Sequence, residues 1–130
     1  LVEGVVYFAK ESTCITDCVV KVTRTASTWT PQDSVNALYK GPIEGNKTEE
    51  GLRFIPCKST SAEMHSLEKG IARVQLKGGC GGCGTLGLSE LLIPTLKDFP
   101  EMFTVQIFDP SGKTQMENAR MDSRPACLEP

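Results

Sequence analysis

The sequence predicts an α/β domain of the α+β type with two layers, in which two helices pack on one face of a mixed sheet of about four or five strands. Several short runs rich in β-branched and aromatic residues have the period of strands, while two other segments carry apolar residues at helical spacing. These segments follow one another in the order β-β-α-β-β-α-β. The chain has 130 residues, which is the size of one ordinary domain.

The first two strands are predicted at Val5–Phe8 and Val19–Thr23, on either side of a polar, turn-forming stretch. The first run is apolar on both faces, which predicts a central strand of the sheet. The second run places Val20 and Val22 on one face and polar side chains on the other. This alternation predicts a half-exposed strand that pairs with the first.

The first helix is predicted to begin after Thr30, where a hydroxyl N-cap, a proline and the carboxylate of Asp33 form a variant of the capping box. Leu38 lies on its apolar face, and Gly41 with the proline after it ends the helix. The polar segment 43–50 is predicted to be a loop. We expect its carboxylates, Glu49 among them, to lie on a solvated surface.

A β-hairpin is predicted next, because Met64–Leu67 and Ile71–Leu76 flank Gly70. Glycine can take the positive φ that a tight hairpin turn demands. In the second strand of this hairpin, Ala72 and Val74 share one face with Leu76. That period of two predicts a half-buried strand.

The segment 78–84 carries five glycines in seven residues and is predicted to be an irregular loop. A helix containing Leu88, Leu92 and Leu96 follows, and Pro94 is expected to interrupt its hydrogen bonding.

The last strand is predicted around residues 103–107, where Phe103, Val105 and Ile107 alternate with polar residues. Five side chains on the apolar faces of their elements are expected to be almost fully buried. They are Leu38, Val74, Leu92, Leu96 and Val105.

The six cysteines predict an oxidised, exported domain, because such a density is unusual in a reducing compartment. They are Cys14, Cys18, Cys57, Cys80, Cys83 and Cys127. The preferred pairing is local: Cys14 with Cys18, Cys80 with Cys83, and Cys57 with Cys127. A long-range pairing of Cys57 or Cys127 with the glycine loop remains open, because closing longer loops stabilises more.

The close pairs Cys14/Cys18 and Cys80/Cys83 also allow an alternative function. Four thiolates suit a tetrahedral zinc ion, and Cys80-Gly-Gly-Cys83 has the spacing of a thiol-disulfide exchange motif. The glycines around Cys83 argue against exchange, since redox motifs of this type begin a helix whose dipole stabilises the first thiolate. A zinc site made of the two close pairs would leave Cys57 and Cys127 to be explained separately. We therefore expect structural disulfides and no bound metal.

Composition and motifs predict no catalytic constellation and no cofactor. The net charge is −2, which offers no electrostatic footprint for nucleic acid, and no apolar run approaches the ~18 residues of a membrane-spanning helix. Direct membrane insertion of this segment is therefore not expected. His65, the only histidine, lies in a predicted strand with no catalytic partner near it in sequence.

The order of motifs resembles the GerMN domain, a sporulation and spore-germination family. A strand pair ends near an arginine, a helix runs into a Gly-Pro, and a second helix ends in Phe-Pro. The matching stretches are Val5–Phe8, Val20–Arg24, Ala37–Pro42, Gly51–Pro56, Gly70–Leu76, Thr95–Pro100 and Thr104–Ile107. The six cysteines and the Cys80–Cys83 loop depart from the family pattern.

The resemblance implies an exported bacterial envelope or sporulation-type protein, often a lipoprotein, similar to ring-building modules. It implies a non-enzymatic interaction or assembly role with protein partners of the envelope, self-association included. The domain is expected at 1–113, with a C-terminal tail at 114–130 that is tied down by Cys127.

Overall fold

The fold, taken from a computed structural model, is described for residues 1–118 and 120–130. The main elements are β1 (Val2–Ala9), β2 (Val19–Ala26), α1 (Pro31–Lys40), β3 (Ser61–Glu68), β4 (Ile71–Lys77), α2 (Leu88–Lys97) and β5 (Thr104–Phe108). Short 3₁₀ helices lie at Lys47–Glu49 and Ala126–Leu128. The predicted α+β class and the predicted order of strands and α-helices are confirmed.

The strands form two sheets rather than one. β1 and β2 pair antiparallel, while β3, β4 and β5 form a mixed sheet in which β3 is antiparallel and β5 parallel to β4. The prediction that β1 is a central strand is wrong, because no further strand of residues 1–118 and 120–130 pairs along its outer edge. The Tyr7 N–H donates to Thr95 Oγ1 over 3.0 Å, and Ala9 pairs with Arg53. Both helices pack against β1, and most of its apolar residues are buried.

The start of α1 is confirmed. Thr30 Oγ1 accepts the Asp33 N–H over 3.1 Å, and Asp33 Oδ2 accepts the Thr30 N–H over 2.8 Å. These reciprocal bonds satisfy two backbone donors at the helix end that would otherwise lack partners. The helix ends at Gly41, whose φ of 82° lies in the left-handed region.

The predicted hairpin joins β3 and β4. Lys69 and Gly70 have φ values of 54° and 79°, which is the two-residue turn that suits the twist of a hairpin. The pairing register shifts between Met64 and Ser66, so His65 occupies a β-bulge, and its side chain is exposed.

The last strand differs from its prediction. All five residues of β5 are buried, whereas Phe103 precedes the strand, packs over Gly70 and is 76% exposed. The polar Gln106 is buried because the C-terminal segment covers it, and its side-chain amide donates to the Glu117 carbonyl over 2.8 Å. A strand covered on both faces loses the alternation that a half-exposed strand shows.

The core lies between the helices and the sheets. The five side chains predicted to be buried all have no exposed surface, which confirms that part of the prediction. They are Leu38, Val74, Leu92, Leu96 and Val105. Within the described ranges, neither helix has the length and apolar character needed to cross a bilayer.

Candidate functional site

The six cysteines form three disulfides. Their Cα–Cα distances are 5.7 Å for Cys14–Cys18, 5.2 Å for Cys57–Cys83 and 5.7 Å for Cys80–Cys127. The predicted Cys14–Cys18 pair is confirmed. The local Cys80–Cys83 pair and the Cys57–Cys127 pair are wrong, and the glycine loop instead joins two distant segments.

The glycines of this loop permit its close approach to the turn at 57–60. Cys57 and Lys58 have φ values of 51° and 67°, and the Gly81 N–H donates to the Cys57 carbonyl over 2.9 Å. A Cβ on Gly79 would lie 2.8 Å from the Lys58 carbonyl oxygen. The loop therefore carries its two cysteines to Cys57 and Cys127 instead of bringing them to each other.

This pairing bears on the alternative function through the cysteines. Cys80 and Cys83 belong to separate disulfides and do not form one exchangeable pair. In the described part of the chain, no three or more His, Cys, Asp or Glu side chains are grouped as metal ligands would be.

Side chains or loops cover part of three of the four outer sheet edges. On β3, the Gln32 amide accepts the Met64 N–H over 2.7 Å and donates to the Ala62 carbonyl over 3.0 Å. On β5, Ser123 donates its N–H to Val105 and accepts the N–H of Ile107. On β1, the outer contacts are those of Thr95 and Arg53 described above. Unpaired strand edges invite association, and such contacts are one way in which proteins prevent it.

The outer edge of β2 is different. The Lys10 N–H donates to the Cys18 carbonyl, and Phe8 is paired with Val20. The Tyr7 N–H, by contrast, points away from β2 towards α2. Even-numbered residues of β2 therefore exchange hydrogen bonds with β1, and odd-numbered ones direct N–H and C=O outward. These outward groups have no hydrogen-bond partner among residues 1–118 and 120–130. They belong to Val19, Lys21, Thr23 and Thr25.

A groove of about 320 Å³ lies at the second half of β2. It is lined by Glu3 of β1 and by Thr23, Arg24, Thr25, Ile43, Asn46 and Glu49. An adjoining cavity of about 540 Å³ lies within the loop 42–52 and shares Ile43, Asn46 and Glu49 with it. Ile43 is 50% exposed and gives the groove an apolar wall. We call the outward edge of β2 together with this groove the edge site.

An ion pair forms the floor of the edge site. Arg24 Nη2 lies 2.5 Å from Glu49 Oε1, and the two side chains are 14% and 1% exposed. The same carboxylate oxygen accepts the Ile43 N–H over 2.9 Å, and Arg24 Nη2 also donates to the Gly41 carbonyl over 3.3 Å. The guanidinium lies over the Phe8 ring, 5.5 Å from its centroid. The pair therefore connects β2 to the loop that forms the wall of the groove.

The carboxyl of Glu49 is ionised in this setting. Its burial alone would raise the pKa. The hydrogen bond from Arg24, the backbone N–H of Ile43 and the positive charge of Arg24 outweigh that effect, so the pKa of Glu49 is lowered.

The sequence did not reveal this site. Glu49 was expected on a solvated surface, and that expectation is wrong, since the residue is buried against Arg24. The two residues are 25 positions apart, and no local pattern links a strand arginine to one carboxylate of a polar loop. Polar residues such as Thr23 occur in any half-exposed strand, so they do not indicate which strand edge is uncovered.

Comparison with known proteins supports the fold alone. No family model matches the chain, and no curated protein matches it. Among solved structures, the tandem GerMN domains of the sporulation protein GerM from Bacillus subtilis superpose with a TM-score of 0.57 at 16% identity. The match covers 98% of this chain and 47% of that one. The predicted resemblance to a GerMN domain is thereby confirmed as a similarity of fold.

Proposed function

We propose that this chain is a non-enzymatic protein-interaction module of an exported bacterial protein, of the envelope or sporulation type, and that it binds its partner through the edge site. The uncovered edge of β2 carries this proposal. The outer edges of β1, β3 and β5 are partly covered by side chains or loops. The outward peptide groups of β2 have no partner in the described part of the chain, and the groove lies next to them.

Two further observations support the extracytoplasmic part of the proposal. All six cysteines are in disulfides, which persist in oxidising compartments. The fold is similar to domains of a sporulation protein. We propose lipid anchoring of the whole protein on the resemblance alone.

Site-specific photo-cross-linking in the producing cells tests the edge site. A photoreactive residue at Thr25 lies on the uncovered edge, and a matched one at Glu63 lies on β3, whose edge Gln32 covers. We expect a cross-linked protein from position 25 and none from position 63. Adducts from position 63 with none from position 25 would contradict the assignment of the edge site.

The non-enzymatic and extracytoplasmic claims have their own tests. Acid trapping of intact cells followed by alkylation should find all six cysteines oxidised, and purified protein should not catalyse insulin reduction. Free thiols in the cell would argue for a reducing compartment. Measurable turnover in the insulin assay would instead favour the thiol-disulfide alternative.

A further inference from the structure

We infer that the partner at the edge site is a second copy of this chain, whose β2 pairs antiparallel with the first so that Val22 lies on the two-fold axis. The inference rests on the proposed function, because it names the occupant of the same site. Two copies joined in this way form one continuous four-stranded sheet in the order β1-β2-β2-β1.

The register follows from which groups point outward. In an antiparallel pair, residues that direct N–H and C=O toward each other exchange two hydrogen bonds. With Val22 on the axis, Lys21 faces Thr23 of the second copy and Val19 faces Thr25. Every outward peptide group of β2 then finds a partner, which no contact in the described chain supplies.

Neighbouring registers are less suitable. An axis through Lys21 would place the two lysines directly opposite each other, and like charges in that position destabilise a sheet. An axis through Thr23 would leave Val19 opposite a residue beyond the end of the strand at Ala26. The register centred on Val22 avoids both problems and sets two β-branched side chains together on the axis.

Charge does not oppose the pairing. The strand contains two basic residues and no acidic one, which would favour an acidic partner if the basic groups were free. Arg24 is already neutralised within the chain by Glu49. Lys21 Nζ lies 3.9 Å from Asp98 Oδ1, and at this partly exposed position the contact is weak and leaves most of the lysine charge available. In the proposed register, each Lys21 faces the uncharged Thr23 of the second copy, so no two like charges lie directly opposite each other.

One side chain of the second copy comes next to a residue that lines the groove in this arrangement. Val20 of the second copy comes opposite Arg24, on the face of β2 that carries Glu49 and Ile43. An apolar side chain from the partner can then cover the half-exposed Ile43. By symmetry the same contact forms at both copies, which adds buried apolar area to the backbone hydrogen bonds.

Amide hydrogen exchange and mass, measured as the concentration rises, test the inference on the unmodified protein. The outward amides of Lys21 and Thr23 should gain protection as the mass doubles from 14.1 kDa, while the inward amide of Val22 is protected throughout. A constant monomer mass up to millimolar concentration, with the outward amides exchanging freely, would overturn the second copy as partner. It would not overturn the proposed function, because the cross-link from position 25 tests that function separately. The mass of the cross-linked product shows whether the partner is a second copy or another protein.

A matched pair of variants tests the register. In this register position 23 of each copy faces Lys21 of the other, so the pair occurs twice in the dimer. Thr23→Glu therefore places a carboxylate opposite each Lys21, and Thr23→Lys places an ammonium group there. Cross-strand charge pairs of this kind predict a dimer about 2- to 30-fold tighter for Thr23→Glu and correspondingly weaker for Thr23→Lys. Equal effects of both variants would rule this register out. Thr23→Pro removes an outward N–H without removing a β1–β2 bond and should abolish dimer formation.

Discussion

Arg24 and Glu49 form the most deeply buried ion pair that the structure describes. Taking two charges out of water is costly, and the pair is stabilised by additional donors such as the Ile43 N–H. Removing one partner leaves the other charge buried without compensation. Compared with two apolar side chains in the same place, the intact pair adds little net stability, and its main effect is to fix the loop 42–52 against β2.

Glu49→Gln should destabilise the protein by about 3–5 kcal/mol near pH 7, the range for breaking a buried pair. Because the folded pKa of Glu49 is lowered, the stability it contributes is present above the unfolded pKa of about 4.3 and is lost as pH falls through the lower, folded value. The difference in unfolding free energy between wild type and variant should thus shrink in acid. Urea denaturation at several pH values measures it.

The double variant Arg24→Met with Glu49→Leu is the control for this prediction. Replacing both charges with apolar groups of similar size is often neutral or stabilising. We expect it to recover most of the stability lost in Glu49→Gln. A double variant as unstable as the single one would indicate that packing, not charge, is responsible.

Thr30 is the second residue whose side chain has a defined energetic role. Thr30→Ala removes the acceptor for the Asp33 N–H and should cost about 1 kcal/mol of unfolding free energy. Thr30→Ser keeps the hydroxyl and should change little. An unchanged denaturation midpoint for Thr30→Ala would contradict the role of this cap.

At the scale of elements, α1 and β3 are connected through one side chain. Gln32 lies on α1 and bonds the backbone of β3 at Ala62 and Met64, in the place where a neighbouring strand would lie. The side-chain amide has N–H donors and a carbonyl acceptor, and one of each bonds the backbone of β3 as a peptide unit would. The helix thereby closes a sheet edge that would otherwise be open to association.

Gln32→Ala should cost about 1–2 kcal/mol, since two hydrogen bonds to backbone groups are lost. The amide of Met64 should also exchange faster with solvent, which hydrogen-exchange NMR detects. Asn36→Ala is a matched control, because it removes only the bond from Gln32 to Asn36. Slower or unchanged exchange at Met64 in Gln32→Ala would show that the edge is protected by other means.

At the scale of the whole molecule, the C-terminal segment is part of the fold. Ser123 pairs with β5, Leu128 is buried, and Cys127 is joined to Cys80 across 47 positions of sequence. The predicted boundary at 113 between domain and tail stays a prediction. The contacts nevertheless show that residues after 113 cover the outer edge of the mixed sheet.

Removing the Cys80–Cys127 disulfide by serine substitution of both residues should cost about 4 kcal/mol, against about 2 kcal/mol for Cys14–Cys18, because the closed loops differ in length. Thermal or urea unfolding of the two double variants measures the difference. The first variant should also lose exchange protection at Ser123. Equal costs for the two variants would contradict the chain-entropy explanation.

The sequence by itself determined the features that depend on neighbouring residues. The capping box at Thr30, the turn at Lys69 and Gly70 and the period of two in β4 each arise from interactions over a few positions. They can be recognised in the sequence without knowing any long-range contact. The order of elements, and with it the similarity to a GerMN domain, could therefore be predicted.

Only the tertiary structure decided which distant groups meet. The pairing of Cys57 with Cys83, the burial of Glu49 against Arg24 and the covering of Gln106 by the C-terminal segment all join residues far apart in sequence. The division of the strands into two sheets also depends on contacts between distant residues. The alternation of apolar and polar residues in a strand indicates which face is buried, but it does not indicate which strand lies along its edge. Which sheet edges are covered is likewise decided by contacts between distant segments, and these contacts leave the outer edge of β2 uncovered.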